Sequence, residues 1–328
     1  MKIARRTCLA AAAACTYALT SLVAAPSAHA QASRAPLRII VATPAGSAPD
    51  VIARLLGDQL RQKLNRTVII DNRVGAGGIV AVQAVKSAAA DGNTLLLAQA
   101  ALAVVTPFTF KAATYDTERD FEPISVIAST PLLFVTNAQT GASSFAEVIA
   151  RARAKPDSIT IGSSSRTSIP HLAGELLEQS TGAQFNNVPM SNSGQAIQAI
   201  INGDSQLSVD GPAPLLPLVK AGRLRPVAIT ADRVLPGMEG IPLAKDTVPG
   251  MVISGWFMLL APKGAPAAEV EQLNRAVDSA VHNPEAVHQL QQTANYPIGG
   301  TVAEAREFLS AERKRWSEVL RKAGIEAE

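Results

Sequence analysis

Leu37-Arg38-Ile39-Ile40-Val41-Ala42-Thr43-Pro44-Ala45-Gly46-Ser47-Ala48-Pro49-Asp50-Val51-Ile52 reads as a strand, a turn and the start of a helix. The run Leu37 to Ala42 is apolar, rich in branched residues and too short for an ordinary helix, so it is predicted as a buried strand that stops before Pro44. Apolar residues at Val51, Ile52, Leu55, Leu56, Leu60 and Leu64 then recur with helical spacing, and the helix starts near Ser47. Ser47 is expected to cap it through its hydroxyl. Pro49 suits a first turn that needs no N–H from it, and Asp50, three residues on, completes a pattern like a capping box.

The unit repeats at once. Thr67 to Asp71 is predicted as a second strand, Gly75-Ala76-Gly77-Gly78 as a second turn, and Ile79 to Ala89 as a second helix. Asp91-Gly92 then turns the chain into a third buried strand, Thr94 to Ala98. This β-α-β-α-β order implies an α/β protein with a parallel sheet, whose ligands lie beyond the carboxyl ends of the strands. Backbone N–H groups at a helix start carry partial positive charge, so both turns suit a carboxylate or phosphate without help from Lys or Arg. Nucleotide motifs are excluded on residues: no Gly-Lys-Ser/Thr follows Gly78, and Val80 breaks the dinucleotide spacing begun by Gly75 and Gly77.

Lys2, Arg5 and Arg6, an apolar stretch from Leu9 to Ala25, and Ala28-His29-Ala30 form the pattern of a cleaved secretory signal, so the mature chain is expected to begin at Gln31 in the periplasm. Arg5-Arg6 leaves the export route open between the general and the twin-arginine systems. Cys8 and Cys15 both fall inside residues 1–30, and with them goes any thiol, disulfide or cysteine-metal chemistry. The net charge of +3, from 30 Lys and Arg against 27 Asp and Glu, is likewise carried by that segment. A mature chain of formal charge zero argues against nucleic acid as a partner. At 298 residues after removal of 30 from 328, two cores are the expected division.

Farther on, Ile124 to Ala128 and Leu132 to Thr136 look extended around Pro131, where the chain is expected to cross into a second domain. Phe145 to Ala154 is predicted as a helix and Ile159 to Ile161 as a strand. The hydroxyl-rich loop Gly162-Ser163-Ser164-Ser165-Arg166-Thr167-Ser168 then leads into a helix near His171. Asn187 to Met190 reads as strand into loop, Ser191 to Gly194 as a helix start, and Leu207 to Asp210 as a strand ending on a carboxylate. Pro226 to Thr230 is a short strand. Ile253 to Leu260 carries Trp256 and Phe257 back to the first domain, so two crossings make a hinge. Amphipathic helices through Val270, Leu273, Val277 and Val281, and through Ala305, Leu309, Trp316 and Leu320, close the chain as packing elements.

A secreted serine hydrolase acting on a carboxylic ester is the rival reading, with the serine loop, His171 and Asp210 as a triad. It lacks a Gly-x-Ser-x-Gly elbow, because Gly162-Ser163-Ser164-Ser165 has no second glycine. No metal site is expected, since His282 and His288 are six residues apart on what reads as one helix and face different sides.

Five stretches carry a family resemblance: Pro44 to Arg54, Asp71 to Gly78, Asp91-Gly92-Asn93-Thr94-Leu95, His171-Leu172-Ala173-Gly174-Glu175, and Lys220 to Arg225. In that order, and over nearly all of the mature chain, the sequence resembles the Bug-type periplasmic receptors of tripartite tricarboxylate transporters. The resemblance implies a two-domain periplasmic-binding-protein clamp, or Venus flytrap, each domain a mixed sheet flanked by helices. Residues 31–131 with 254–328 would form the first domain and 132–253 the second. It further implies a monomer that binds a small organic carboxylate, delivers it to integral membrane permease subunits, catalyses nothing and needs no cofactor; a sensor role would share the same binding chemistry.

The candidate ligand-binding residues are Thr43, Pro44, Gly46 and Ser47 in the first turn and Ala76, Gly77 and Gly78 in the second. Gln99 stands at the end of the third strand. In the second domain the candidates are Ser163, Ser164, Arg166 and Ser168, then Met190 and Asp210. Gln99-Ala100-Ala101-Leu102-Ala103 and Met190-Ser191-Asn192 replace polar or cationic types usual in the family, so the pocket is expected to suit a monocarboxylate with a hydrophobic body. Arg166 is the residue that could instead pair a distal carboxylate.

Overall fold

The computed structural model describes residues 35–328, so the expected signal segment with Cys8 and Cys15 lies outside the described residues. Among the described residues eleven strands form two sheets: β1 (Leu37–Val41), β2 (Val68–Asn72), β3 (Thr94–Gln99), β4 (Phe121–Pro131), β5 (Leu133–Asn137), β6 (Thr160–Ser163), β7 (Asn186–Pro189), β8 (Leu207–Asp210), β9 (Leu224–Ile229), β10 (Ser254–Pro262) and β11 (Tyr296–Gly299). The six-stranded sheet has the order β11-β4-β10-β3-β1-β2, and the five-stranded sheet β7-β6-β8-β5-β9. Both are mixed: β1, β2 and β3 are parallel, as are β6, β7 and β8, while β10 with β4, and β5 with its neighbours, run antiparallel.

The longer helices are α1 (Ala48–Leu64), α2 (Ile79–Lys86), α3 (Ala100–Val104), α4 (Phe145–Ala154), α5 (Ile169–Thr181), α6 (Ser193–Asn202), α7 (Pro212–Lys220), α8 (Ala267–Val281), α9 (Pro284–Gln292) and α10 (Val302–Lys322). Leu37, Ile39 and Val41 of β1 pack with Ile52 and Leu56 of α1 and Leu273 and Val277 of α8, whereas Ile40 packs with Val82 and Val85 of α2 on the opposite face. This alternation, in a strand buried on both sides, is why Leu37 to Ala42 is apolar but for Arg38, whose exposed side chain reaches Asp71 of β2. Leu309 and Trp316 of α10 belong to the same apolar core as Phe134 of β5 and Leu172 of α5, so α10 contributes to the packing of both sheets.

Several boundaries differ from expectation. Helix α2 ends at Lys86, not Ala89. Strand β6 runs on through Gly162 and Ser163, which the loop reading had placed outside it. His282 and His288 do not share a helix, because α8 ends at Val281 and α9 begins at Pro284. Pro284 has no N–H to continue a helix but suits the first turn of a new one.

The chain passes between the sheets twice, from β4 to β5 through Leu132 and back to β10 through Ile253. Thr230, buried, joins both passages: its hydroxyl accepts from the Leu132 N–H at 2.8 Å and donates to the Ile253 carbonyl at 2.5 Å. No helix among the described residues is long and apolar enough to cross a membrane.

Candidate functional site

Because β1, β2 and β3 are parallel neighbours, the turns after Val41, Asn72 and Gln99 open on one edge of the six-stranded sheet. Gln99 pairs with Phe257 of β10, and Gly255, two residues before, pairs with Thr130 of β4. In the other sheet Leu133 pairs with Asp210, so the carboxyl end of β8 lies at the strand that emerges from the first passage. The two sheets therefore present the ends of their parallel strands to the same passage.

A cavity of about 250 Å³ lies there. On one side it is lined by Gln99, Ala100 and Ala101, and by Thr130 and Leu132 of the passage. Ser168, Ile169 and Pro170 line it at the start of α5, and Asp210 and Gly211 at the start of α7. Gly255, Trp256 and Phe257 of β10 complete it. Three helix N-termini, those of α3, α5 and α7, thus border one small space; the thirteen-residue α5 brings partial positive charge to it, whereas α3 has only five residues and α7 opens on Pro212. Among the described residues its lining contains no Lys, Arg or His, and its one ionisable side chain is Asp210.

Of the fourteen residues nominated from the sequence, the cavity brings together Gln99, Ser168 and Asp210. Leu102 and Ala103, expected to make the pocket greasy, belong instead to the core, their carbonyls accepting from the hydroxyls of Tyr115 and Thr117. The missed lining residues are Thr130, Leu132, Ile169, Pro170, Gly211, Gly255, Trp256 and Phe257, none of which belongs to a motif that marks a binding site in sequence.

The first turn lies at the same edge but is organised by the protein's own carboxylate. Ser47 stands at the N-cap of α1 without a side-chain cap: its hydroxyl donates to the Pro44 carbonyl at 2.7 Å and pairs with the Thr43 hydroxyl at 2.6 Å. Asp50 reaches back not to Ser47 but to the Gly46 N–H, 2.8 Å away, so the expected capping box is absent. Arg54 holds the same carboxylate through Nε at 2.9 Å and Nη2 at 3.0 Å, and Asn72 adds a second side-chain donor at 2.9 Å while also donating to the Thr43 carbonyl. The Arg54 guanidinium keeps the Asp50 carboxyl at about 2.

The second turn contains no such anion. Gly75, Ala76, Gly77 and Gly78 all have positive φ, and Gly78, which has no side chain to offer, is the N-cap of α2. A Cβ on Gly78 would stand 2.9 Å from Leu102 Cδ1 and 3.2 Å from Ala42 Cβ, which explains glycine there. Ala76, at φ 46°, carries strain of about 1 kcal/mol for a residue with a Cβ. Neither turn lines the cavity in this conformation; both stand on the rim of the six-stranded sheet.

On the other side, Ser163 is 0% exposed and its Oγ lies 3.0 Å from His171 Nδ1, while Glu175 Oε1 lies 3.6 Å from His171 Nε2. Burial, and then the charge of Arg166, push the His171 imidazole down to about 4, and burial also raises Glu175. His171 thus sits buried and neutral between Ser163 and Glu175, and Ser163 is too enclosed to meet a substrate carbonyl. The Ser164 hydroxyl donates to Ser168 Oγ at 3.0 Å, and Ser168 caps α5 by accepting from the His171 N–H. Arg166 is exposed and Met190 is partly buried; neither lines the cavity. Asp210 therefore has no imidazole partner; its Oδ1 accepts from the Gly211 N–H at 2.7 Å. Among the described residues no group of three or more His, Cys, Asp or Glu is placed to hold a metal.

Residues 52–325 match the model of the Tripartite tricarboxylate transporter family receptor. Protein BugT of Bordetella pertussis is 30% identical over 310 residues, covering 94% of this chain and 95% of its own. Among solved structures, an R. palustris protein with adipate is 29% identical with a TM-score of 0.74, over 89% of this chain and 98% of the other. A TctC solute binding protein from Polaromonas, 22% identical, has a TM-score of 0.78 over 88% and 98% of the two chains and bears on the fold alone.

Proposed function

The chain belongs to the receptor family of tripartite tricarboxylate transporters, and from that membership we propose that it captures a small organic carboxylate in the cavity between its two sheets and hands it to integral membrane permease subunits. The observation that carries this reading is the cavity bordered by three helix starts and by no cationic side chain. Helix-terminal amides attract an anion without the tight, slowly reversed grip of a buried guanidinium, which suits a receptor that must release its cargo. The relative solved with adipate supports a carboxylate guest of similar size. Family members are binding receptors, and the chain has no reaction of its own.

The ligand is held between two domains, residues 31–131 with 254–328 and residues 132–253, which close about the passages at Leu132 and Ile253. Closure brings the rim turns at Thr43 to Ser47 and Ala76 to Gly78, together with Ser164, Arg166 and Met190, toward the cavity. The monomer is periplasmic and is released by cleavage after Ala30. Thermal-shift measurement against a panel of mono-, di- and hydroxycarboxylates tests the core of this reading, because a ligand of the folded state alone raises its melting temperature. At least one acid should raise it and be recovered unchanged; no shift with any acid refutes it.

A further inference from the structure

Asp210 is out of place in a carboxylate site. It lines the cavity, yet its Oδ2 is buried with no hydrogen-bond partner among the described residues. Its other oxygen is committed to the Gly211 N–H. Burial raises the carboxyl above its usual range, with the Gly211 N–H and Ser193 opposing. A buried acceptor left unpaired costs more than an ordinary hydrogen bond returns, so the position is uncomfortable until a donor arrives. Leu132, Ile169 and Pro170 of the lining are apolar, the Gly211 N–H is already spent, and the polar lining residues Gln99, Thr130 and Ser168 make no hydrogen bond to Asp210 Oδ2.

We infer that Asp210 reads the end of the ligand remote from its carboxylate, accepting a hydrogen bond from a hydroxyl or ammonium group there. The inference rests on the carboxylate reading above and narrows it to acids that carry a donor. The terminal torsion of an aspartate is soft, so a small rotation turns Oδ2 onto the cavity. The same carboxylate repels a second carboxylate on the guest, because two anions a few ångströms apart in a dry site disfavour each other. The apolar body expected from the sequence then spans the space between the two polar ends.

Four acids of one chain length separate the possibilities: hexanoate, 6-hydroxyhexanoate, 6-aminohexanoate and adipate, titrated calorimetrically at pH 7.5 into the wild-type protein and into Asp210→Asn. The asparagine keeps the shape and the acceptor facing Gly211 but exchanges the second oxygen for an N–H donor. The wild type should bind the hydroxy or the amino acid about tenfold tighter than hexanoate, with adipate weakest. The tighter of the two identifies the donor. Asp210→Asn should abolish that advantage and strengthen adipate. Adipate binding tightest to the wild type, or an unchanged order in the variant, overturns the inference. So does binding of other carboxylates but of none of these four, an outcome that leaves the receptor reading standing. Failure of every carboxylate overturns both.

Discussion

The hydroxyl of Thr230 donates to the carbonyl of Ile253 at 2.5 Å, and the same oxygen accepts from the Leu132 N–H at 2.8 Å, so one buried side chain ties the two passages between the sheets. Any motion of one sheet against the other must turn about this stitch or strain it.

Thr230→Val keeps the shape and removes both hydrogen bonds, leaving a buried N–H at Leu132 without its side-chain partner. The expected cost is about 1–3 kcal/mol in urea unfolding, while Thr230→Ser, which keeps the hydroxyl, should stay close to wild type. Equal losses in the two variants would assign the effect to packing instead.

Trp256 lines the cavity, and its indole N–H donates to Glu312 Oε2 at 2.9 Å; Trp316 donates to the same oxygen at 3.0 Å from the far side. These are the chain's two tryptophans, so its emission reports on this node. Saturating ligand should change the emission of the wild type and of Trp316→Phe, and much less that of Trp256→Phe. A full ligand response in Trp256→Phe would place the guest elsewhere.

His171 is buried neutral, held near 4 against an ordinary 6.5. Its folded value is depressed, so the unfolded chain binds the extra proton first, and the stability present above pH 6.5 is lost as pH falls toward 4. Burial raises the Glu175 carboxyl, which acts with the opposite sign, so comparison with His171→Gln between pH 6.5 and 5 isolates the imidazole. Unfolding free energy should drop by about 1–2 kcal/mol across that interval, and the slope should flatten in His171→Gln. A flat wild-type profile from pH 6.5 to 5 would show that the imidazole is free to charge.

Asp50 works the other way. Its carboxyl, near 2 against an ordinary 3.8, favours the folded state above pH 4 and loses that contribution as pH falls toward 2. Its own surface is 1% exposed but its partner Arg54 lies on the surface, so screening reduces the effect to about 1 kcal/mol. Asp50→Asn should cost about that much at pH 7 and weaken ligand binding by loosening the Gly46 turn; an unchanged melting temperature together with unchanged affinity would remove the turn from the site.

Local pattern alone determined a great deal. The short apolar run from Leu37 to Ala42 and the helical spacing from Val51 to Leu64 announce β1 and α1, because burial on both faces of a strand leaves an unbroken run and burial of one face of a helix leaves a period of its own. The parallel order of the first three strands, the return through Trp256 and the family likeness in five short stretches were equally legible. What Ser47, Asp50, Ser163 and Leu102 do was decided only in the tertiary structure. Asp50 could have capped Ser47, but Arg54 one turn along and Asn72 on the next strand draw it to Gly46. Ser163 looked like loop chemistry until β6 ran one residue pair farther and His171 came down from α5 to meet it. The cavity itself joins residues as distant in sequence as Gln99 and Gly255, and most of its lining is apolar or glycine. Such residues make a site only through where the sheets put them, because helix dipoles and enclosure belong to the arrangement of elements and to no side chain in particular.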